Sequence, residues 1–205
     1  MAISDYNSLV TAVSGWLHRT DLTANIPDFI QLAEVRLARE LRVWPLVTST
    51  TMVVTGSLTT TVTLPTNYME TVNMLRGDGQ EMQYVPFSTF IRLANQPTSI
   101  PWVYSVKSNV VLIAPPSSAT TTMVMSYYKK EEPLTSINLT NWYVINAPDL
   151  LLYGSLLESS TFLSNDERLT TWANLYTTAA DNVNKQYGLQ TNVKNPLAAM
   201  IKANK

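Results

Sequence analysis

PDLLLYGSLLESSTFLSNDERLTTWANLY, residues 148–176, decides how the chain is organised. Leu150, Tyr153, Leu156, Leu157 and Phe162 recur at helical spacing, and Leu169, Trp172, Leu175, Tyr176 and Val183 resume the pattern after a break. Pro148 and Asp149 suit a first helical turn, where the missing N–H is not needed and an acid meets the positive end of the dipole. Ser164-Asn165-Asp166-Glu167 offers a capping box for the second helix, and Gly188 a stop. Two consecutive helices are therefore expected near the end of a chain whose long middle part alternates with period two.

Helical spacing appears again at the start. A helix is expected over Ser4–His18, capped by Ser4, with Leu9, Val13, Trp16 and Leu17 on its apolar face. A second follows in NIPDFIQLAEVRLARELRV, with Pro27 in its first turn. Phe29, Leu32, Ala33, Leu37 and Leu41 form its buried stripe, and Glu34, Arg36, Arg39, Glu40 and Arg42 face outward. Asn25-Ile26-Pro27-Asp28 and Asn146-Ala147-Pro148-Asp149 share one helix-start chemistry, with an Asn as cap candidate in each.

Between these ends the period is two. In LTTTVTL, Leu58, Val62 and Leu64 share a face, and Thr55-Gly56-Ser57 joins this strand to the preceding TMVV. YMETVNMLR runs into the turn Gly77-Asp78-Gly79, and WVYSV and VVLIA form a hairpin around Ser108-Asn109 that Pro115-Pro116 ends. TTTMVMSYYKK is a long strand with Met123, Met125 and Tyr127 on one face. Only STFIRLAN, residues 88–95, breaks the alternation with a short helix. The fold class is α+β. Residues 1–45 and 146–188 make a helical bundle, residues 46–145 an inserted antiparallel β sandwich or barrel, and residues 189–205 an extended C-terminal tail.

Composition bounds the function. Of 205 residues, 45% are hydrophobic and only 14% charged, the net charge is −1 and there is no cysteine. A polar surface with few ions suits broad contact with other protein chains, since fewer charges must be desolvated. A Thr-rich β protein accounts for part of the same composition. The pI near 5.8 gives no electrostatic footprint for gripping nucleic acid. Without thiols there is neither a disulfide framework nor a thiolate metal site. The N-terminus MAISDYNSLV lacks signal-peptide character and no apolar run reaches spanning length, so a soluble protein made in the cytoplasm is expected.

No residue set marks a catalytic centre. His18 is the single histidine and ends a helix, where a cation suits the last carbonyls. No G-x-S-x-G elbow presents a serine, and the glycines show no phosphate-binding or EF-hand spacing. Glu131 and Glu132 are adjacent, and in an extended chain point apart. Arg36, Arg39 and Arg42 lie three apart along one helix, either as a solvated face, as a seam between subunits, or as a stripe against nucleic-acid backbone. Asn138-Leu139-Thr140 is a formal glycosylation sequon without a secretory signal to make it relevant. After Gly188 comes a polar linker, and then PLAAMIKANK places Leu197, Met200 and Ile201 on one face. A helix this short is unstable alone and must dock on its own chain or on a partner.

The order of DLTANIPDFIQLAEVRLARELR, LPTNYMET, the P-W-V-Y…VVLIAPPS hairpin, MSYYKKEEPLT and PDLLLYGSLLESSTFLSNDERLTTWANLY resembles the phage head-to-tail adaptor proteins, relatives of the tail tubular A proteins of short-tailed phages. The resemblance extends to about Tyr187. It implies a virion structural protein without catalytic residues or cofactor, located at the head–tail junction. It further implies a ring of identical subunits, typically a dodecamer, beneath the portal protein. The helical part would build the ring and meet the portal, and the β part would face a tail or nozzle protein. Double-stranded DNA would pass through the bore without sequence-specific binding. The rival from another class is a non-catalytic receptor- or carbohydrate-binding module using Trp102, Tyr104, Tyr127 and Tyr128.

Overall fold

The computed structural model describes residues 2–54, 61–163 and 166–188, and over these the chain is a mixed α+β protein with six α-helices and two sheets. It divides into two compact units. One runs to Pro45 and resumes at Glu131; the other is Leu46–Lys130. The second boundary thus falls after Lys130, not at residue 145, because residues 131–141 are fastened to a helix of the first unit, as described below.

In the first unit, α1 spans Tyr6–Leu17. Asp5, not Ser4, is its cap. The Asp5 carboxylate accepts from the Ser8 N–H at 2.8 Å, and Ser8 Oγ accepts from the Asp5 N–H at 3.0 Å, a reciprocal box. That hydrogen bonding also holds the Asp5 carboxyl below its ordinary range. Leu9, Val13 and Leu17 are fully buried, whereas Trp16 stays outside with its ring edge on Tyr153. His18 closes the helix in a left-handed conformation, donating its N–H to the Ser14 carbonyl.

Helix α2 spans Ile26–Glu40 with Pro27 in its first turn, and buries Ile26, Phe29, Ile30, Ala33, Leu37 and Ala38. Leu32 is exposed, and Glu34 is buried where an outward position was expected. Neither expected asparagine caps through its side chain. Asn25 makes no such bond, and the Asn146 amide donates back to the Trp142 carbonyl within the short α4, Trp142–Asn146. The cap that forms there is Asn141, which accepts from the Val144 N–H.

Helix α5, Pro148–Glu158, buries Leu150, Leu151, Leu152, Gly154, Ser155 and Leu156. Burial on several sides, not along one stripe, marks a helix enclosed by others; α1, α2, α4 and the helix that follows it in the chain all pack on it. Helix α6, Arg168–Tyr187, contributes Trp172, Tyr176, Ala179 and Val183. The capping box expected at Ser164-Asn165 falls outside the described residues. A Cβ at Gly154 would lie 3.3 Å from both the Ala33 Cβ and the Tyr176 ring, so α2 and α6 close on α5 at this glycine. Gly154→Val therefore overpacks both contacts and is expected to cost about 2 kcal/mol in urea unfolding.

The second unit holds β1 (Val47–Val54), β2 (Thr61–Thr63), β3 (Tyr68–Arg76), β4 (Gln83–Tyr84), α3 (Phe87–Ala94), β5 (Val103–Lys107), β6 (Val110–Ala114) and β7 (Thr121–Lys129). One sheet has the order β1-β7-β3 and the other β2-β6-β5-β4. The turn expected at Thr55-Gly56-Ser57 falls outside the described residues, and among those described β1 and β2 are not paired with each other. β1 is paired along its eight residues with β7, in the register Met52↔Met123, and Thr61–Thr63 of β2 pair with β6. The hairpin of β5 and β6 does form around Ser108-Asn109, with Ser108 at φ 54°. The sheets are not wholly antiparallel. β4 runs parallel to β5, because α3 carries the chain back between them as a crossover. Met52, Met74, Met82, Tyr104, Ile113, Met123, Met125 and Tyr127 belong to one buried cluster fed by both sheets.

Candidate interaction surfaces

The first unit is organised around a buried carboxylate. Glu34 sits on the inner face of α2, one turn from Ile30 and Leu37. Its two oxygens accept the Leu134 N–H at 3.2 and 3.1 Å, and one also accepts the Asn141 side-chain amide. Asn141 donates in addition to the Glu132 carbonyl at 3.1 Å. A single acid therefore holds the loop 131–141 at Leu134 and at Asn141, on either side of its tip, and buried Leu134 plugs it inward. The Tyr6 N–H at the start of α1 donates to the Leu139 carbonyl at 2.8 Å.

The tip of this loop is stiff. Thr135 N–H donates to the Asn138 carbonyl at 2.9 Å, and Thr135 Oγ1 accepts from the Ile137 and Asn138 N–H groups. The Asn138 amide, part of the formal sequon, donates to the Pro133 carbonyl at 2.9 Å. These bonds hold Ile137 outward with 94% of its surface exposed.

The three arginines take three different positions. Arg36 forms an ion pair with Glu158 at 2.6 Å and stacks over the Tyr176 ring, 5.8 Å from its centroid, so it links α2 to α5 and α6 within the chain. Arg42 lies beyond the helix and turns back to donate to the Ala38, Arg39 and Leu41 carbonyls. Arg39 is exposed on the last turn. Leu197, Met200 and Ile201 lie outside the described residues.

His18 borders a shallow cleft of about 450 Å³ together with Gly15, Trp16, Arg168 and Trp172. The Arg168 guanidinium donates to the Trp16 carbonyl at 3.0 Å, chelates Asp166 and covers the Trp172 ring at 5.1 Å. That chelation holds the Asp166 carboxyl below its ordinary range. In the second unit Tyr104, Tyr127 and Tyr128 are core residues, which leaves Trp102 as the exposed member of the aromatic set expected for ligand binding. Tyr84, Phe87 and Ile91 are exposed as well, with Lys107 over the Phe87 ring at 4.2 Å.

Two tyrosines of the first unit have pKa values pushed above the ordinary 10.0. Burial is the main cause for Tyr143, followed by the charges of Glu131 and Glu34. For Tyr176 it is burial, then its hydrogen bond to Glu40. Below pH 10 both rings are neutral in the folded and unfolded chain alike, and their stabilising effect is complete. Above it the unfolded chain releases protons that the folded chain retains, so stability falls. Urea midpoints at pH 8 and 11 should show this loss, and Tyr143→Phe with Tyr176→Phe should reduce it.

Among the described residues no group of three or more His, Cys, Asp and Glu could hold a metal ion, and no helix is long and apolar enough to cross a membrane. No curated protein matches the chain. The family model described as SU10 adaptor protein does, over residues 4–198, and because that span takes in both units the chain belongs to the SU10 adaptor protein family.

Proposed function

We propose that this chain is a head-to-tail adaptor whose copies form a ring, dodecameric by resemblance, between the portal protein and the tail or nozzle of a phage virion. The observation that carries the reading is the family match over residues 4–198. In this reading the helices from the two ends of the chain form a bundle that builds the ring and meets the portal. The second unit, a β sandwich, faces the tail. The segment after Gly188 docks through Leu197, Met200 and Ile201. Double-stranded DNA passes through the bore. A charge of −1 suits that passage, since a strongly basic lining would hold phosphates.

Arg39 is the member of the arginine set suited to a seam between subunits. Arg36→Glu would set an acid against Glu158 and disturb the subunit itself, whereas Arg39→Glu probes the exposed last turn of α2. Mixing the protein with portal rings and imaging by negative stain tests the reading. A second ring stacked on the portal is the expected result, with Arg39→Glu weakening it at an unchanged unfolding midpoint. A monomer that ignores portal and binds glycans overturns the reading in favour of a receptor-binding module.

A further inference from the structure

Of the edges of the two sheets, three are guarded and one is bare. β2 and β4 are only three and two residues long. The pairing of β3 is irregular between Tyr68 and Glu70 and again between Thr71 and Asn73, and its far end is covered. There the Met82 N–H donates to the Met74 carbonyl and the Arg76 N–H to the Gln80 carbonyl, both at 2.8 Å. Short strands, bulges and covers keep a sheet from pairing with other chains. β1 has none of them. Its residues VTSTTMVV run in unbroken register against β7, without Pro, Gly or a charge. Among the described residues its other side pairs with nothing, although every second residue there turns an N–H and a C=O outward. Residues 55–60 must also span from Val54 to Thr61 in the other sheet, so they are too few to line the whole edge.

An extended strand fits such an edge, since it repeats donors and acceptors at the same spacing. The sequence offers one beyond the described residues. LQTNVKNP, residues 189–196, alternates, with Leu189, Thr191 and Val193 on one side and Gln190, Asn192 and Lys194 on the other. β1 alternates likewise. Met52 and Val54 are buried and Thr50 half-buried on one face, and Ser49, Thr51 and Val53 are exposed on the other. The two lengths match when Asn192 lies opposite Thr51 in antiparallel register. Leu189 then falls beside Val54 and Val193 beside Thr50, while Lys194 falls beside Ser49 in solvent. Pro196, with no N–H to give, comes at the Val47 end.

The described end of the chain indicates which copy is served. Gly188 bridges antiparallel to Val43 with ψ at 150°, so the chain leaves it extended and in the direction of Leu41. From Val43, β1 lies the other way along the chain, past the turn Trp44–Leu46. To reach the β1 of its own copy the segment would have to reverse, and a four-residue turn would leave too few residues to pair.

We propose that residues 189–196 of one copy of this chain add a strand to β1 of the next. The inference rests on the ring reading and adds to it the contact that joins neighbours. An edge and a segment are two different patches, so the contact is heterologous and closes into a ring when the rotation permits. Antiparallel pairing brings Pro196 out at the Val47 end, where the insertion joins the helical unit, and leaves Leu197, Met200 and Ile201 to the portal.

The absence of cysteine allows a test by engineered disulfides. Thr51 is exposed, so Thr51→Cys should fold. It is combined in turn with Thr191→Cys, Asn192→Cys and Val193→Cys, in rings templated on portal and then oxidised. A ladder of covalent oligomers is expected with Asn192→Cys, and little product with Thr191→Cys or Val193→Cys, which face the other side of the sheet. A mixture of the two single variants, Thr51→Cys and Asn192→Cys, should stop at dimers. Of Val193→Pro and Lys194→Pro, the one whose N–H faces β1 should weaken assembly about tenfold at an unchanged unfolding midpoint. Val193→Thr should retain it.

Rings that form without a ladder overturn this seam and leave the ring reading standing. Equal ladders from all three positions overturn the strand. A dimer from Thr51→Cys alone overturns the seam in favour of β1 pairing with itself. Oxidised monomer from the double variant overturns it in favour of pairing within one copy. No ring under any condition removes the ring reading and the seam together.

Discussion

Glu34→Ala is expected to lower the unfolding free energy by about 3–5 kcal/mol, since it strands two buried donors at once. The Leu134 N–H and the Asn141 amide both lose their acceptor, and neither can turn to water without releasing the loop 131–141. A loss of this size is a large part of the 5–15 kcal/mol that holds an ordinary domain together. Glu34→Gln should fall between, because it keeps one acceptor oxygen but turns an NH₂ toward groups that donate. Urea unfolding gives the magnitude, and hydrogen exchange at the Leu134 amide gives the site. An Ala variant that costs under about 1 kcal/mol, with the Leu134 amide still protected, would show that Leu134 and its neighbours hold the loop without the acid.

Removing residues 189–205 is expected to do the opposite: little to stability, everything to attachment. The last described residue, Gly188, is itself tied down: its N–H donates to the Asn184 carbonyl at 2.8 Å and it bridges to Val43. Leu197, Met200 and Ile201 would each contribute on the order of 1.5–3 kcal/mol when buried on a partner, offset by the entropy of ordering the polar linker. The remainder is modest for one subunit and large when a ring binds with many copies together. Truncation after Gly188 should leave the urea midpoint in place and abolish stable binding to DNA-filled heads. A truncated protein that still docks and retains the genome removes the anchor assignment. One that unfolds shows instead that the segment completes its own subunit.

The two halves of the Glu34 arrangement differ in how legible they are in the sequence. Position 34 lies one turn from Ile30 and from Leu37, on the face that Phe29, Ala33 and Leu37 define, so spacing alone places it inward. What directs an acid outward is its residue type, and that expectation fails wherever backbone donors from a distant segment supply compensation. The donors here lie 100 residues away in sequence, and no local pattern announces them. The same contrast separates the strands. The hairpin of β5 and β6 is local and readable from Ser108-Asn109, while the pairing of β1 with β7 joins segments far apart. Helix α5 was readable as a helix but not as the centre of its unit, since its burial on several sides depends on neighbours from both ends of the chain. The mixed α+β class, by contrast, follows from the change of period at either end of residues 46–130.

The register Val47↔Tyr128 has a consequence for the order in which this chain can fold. The first and last strands of the inserted unit lie side by side, so the chain leaves the insertion next to where it enters. Were those 85 or so residues a floppy tether, bringing α2 to α5 would carry a loop-closure penalty of about 4 kcal/mol. A folded insertion with adjoining ends removes most of it. On the ribosome, α1 and α2 emerge with Leu9, Ile30 and Leu37 uncovered and wait for a helix synthesised more than a hundred residues later. Pairing of β1 with β7 would thus bring the two helical segments together before they pack. Any module whose terminal strands adjoin could replace residues 46–130 and leave the helical unit able to close.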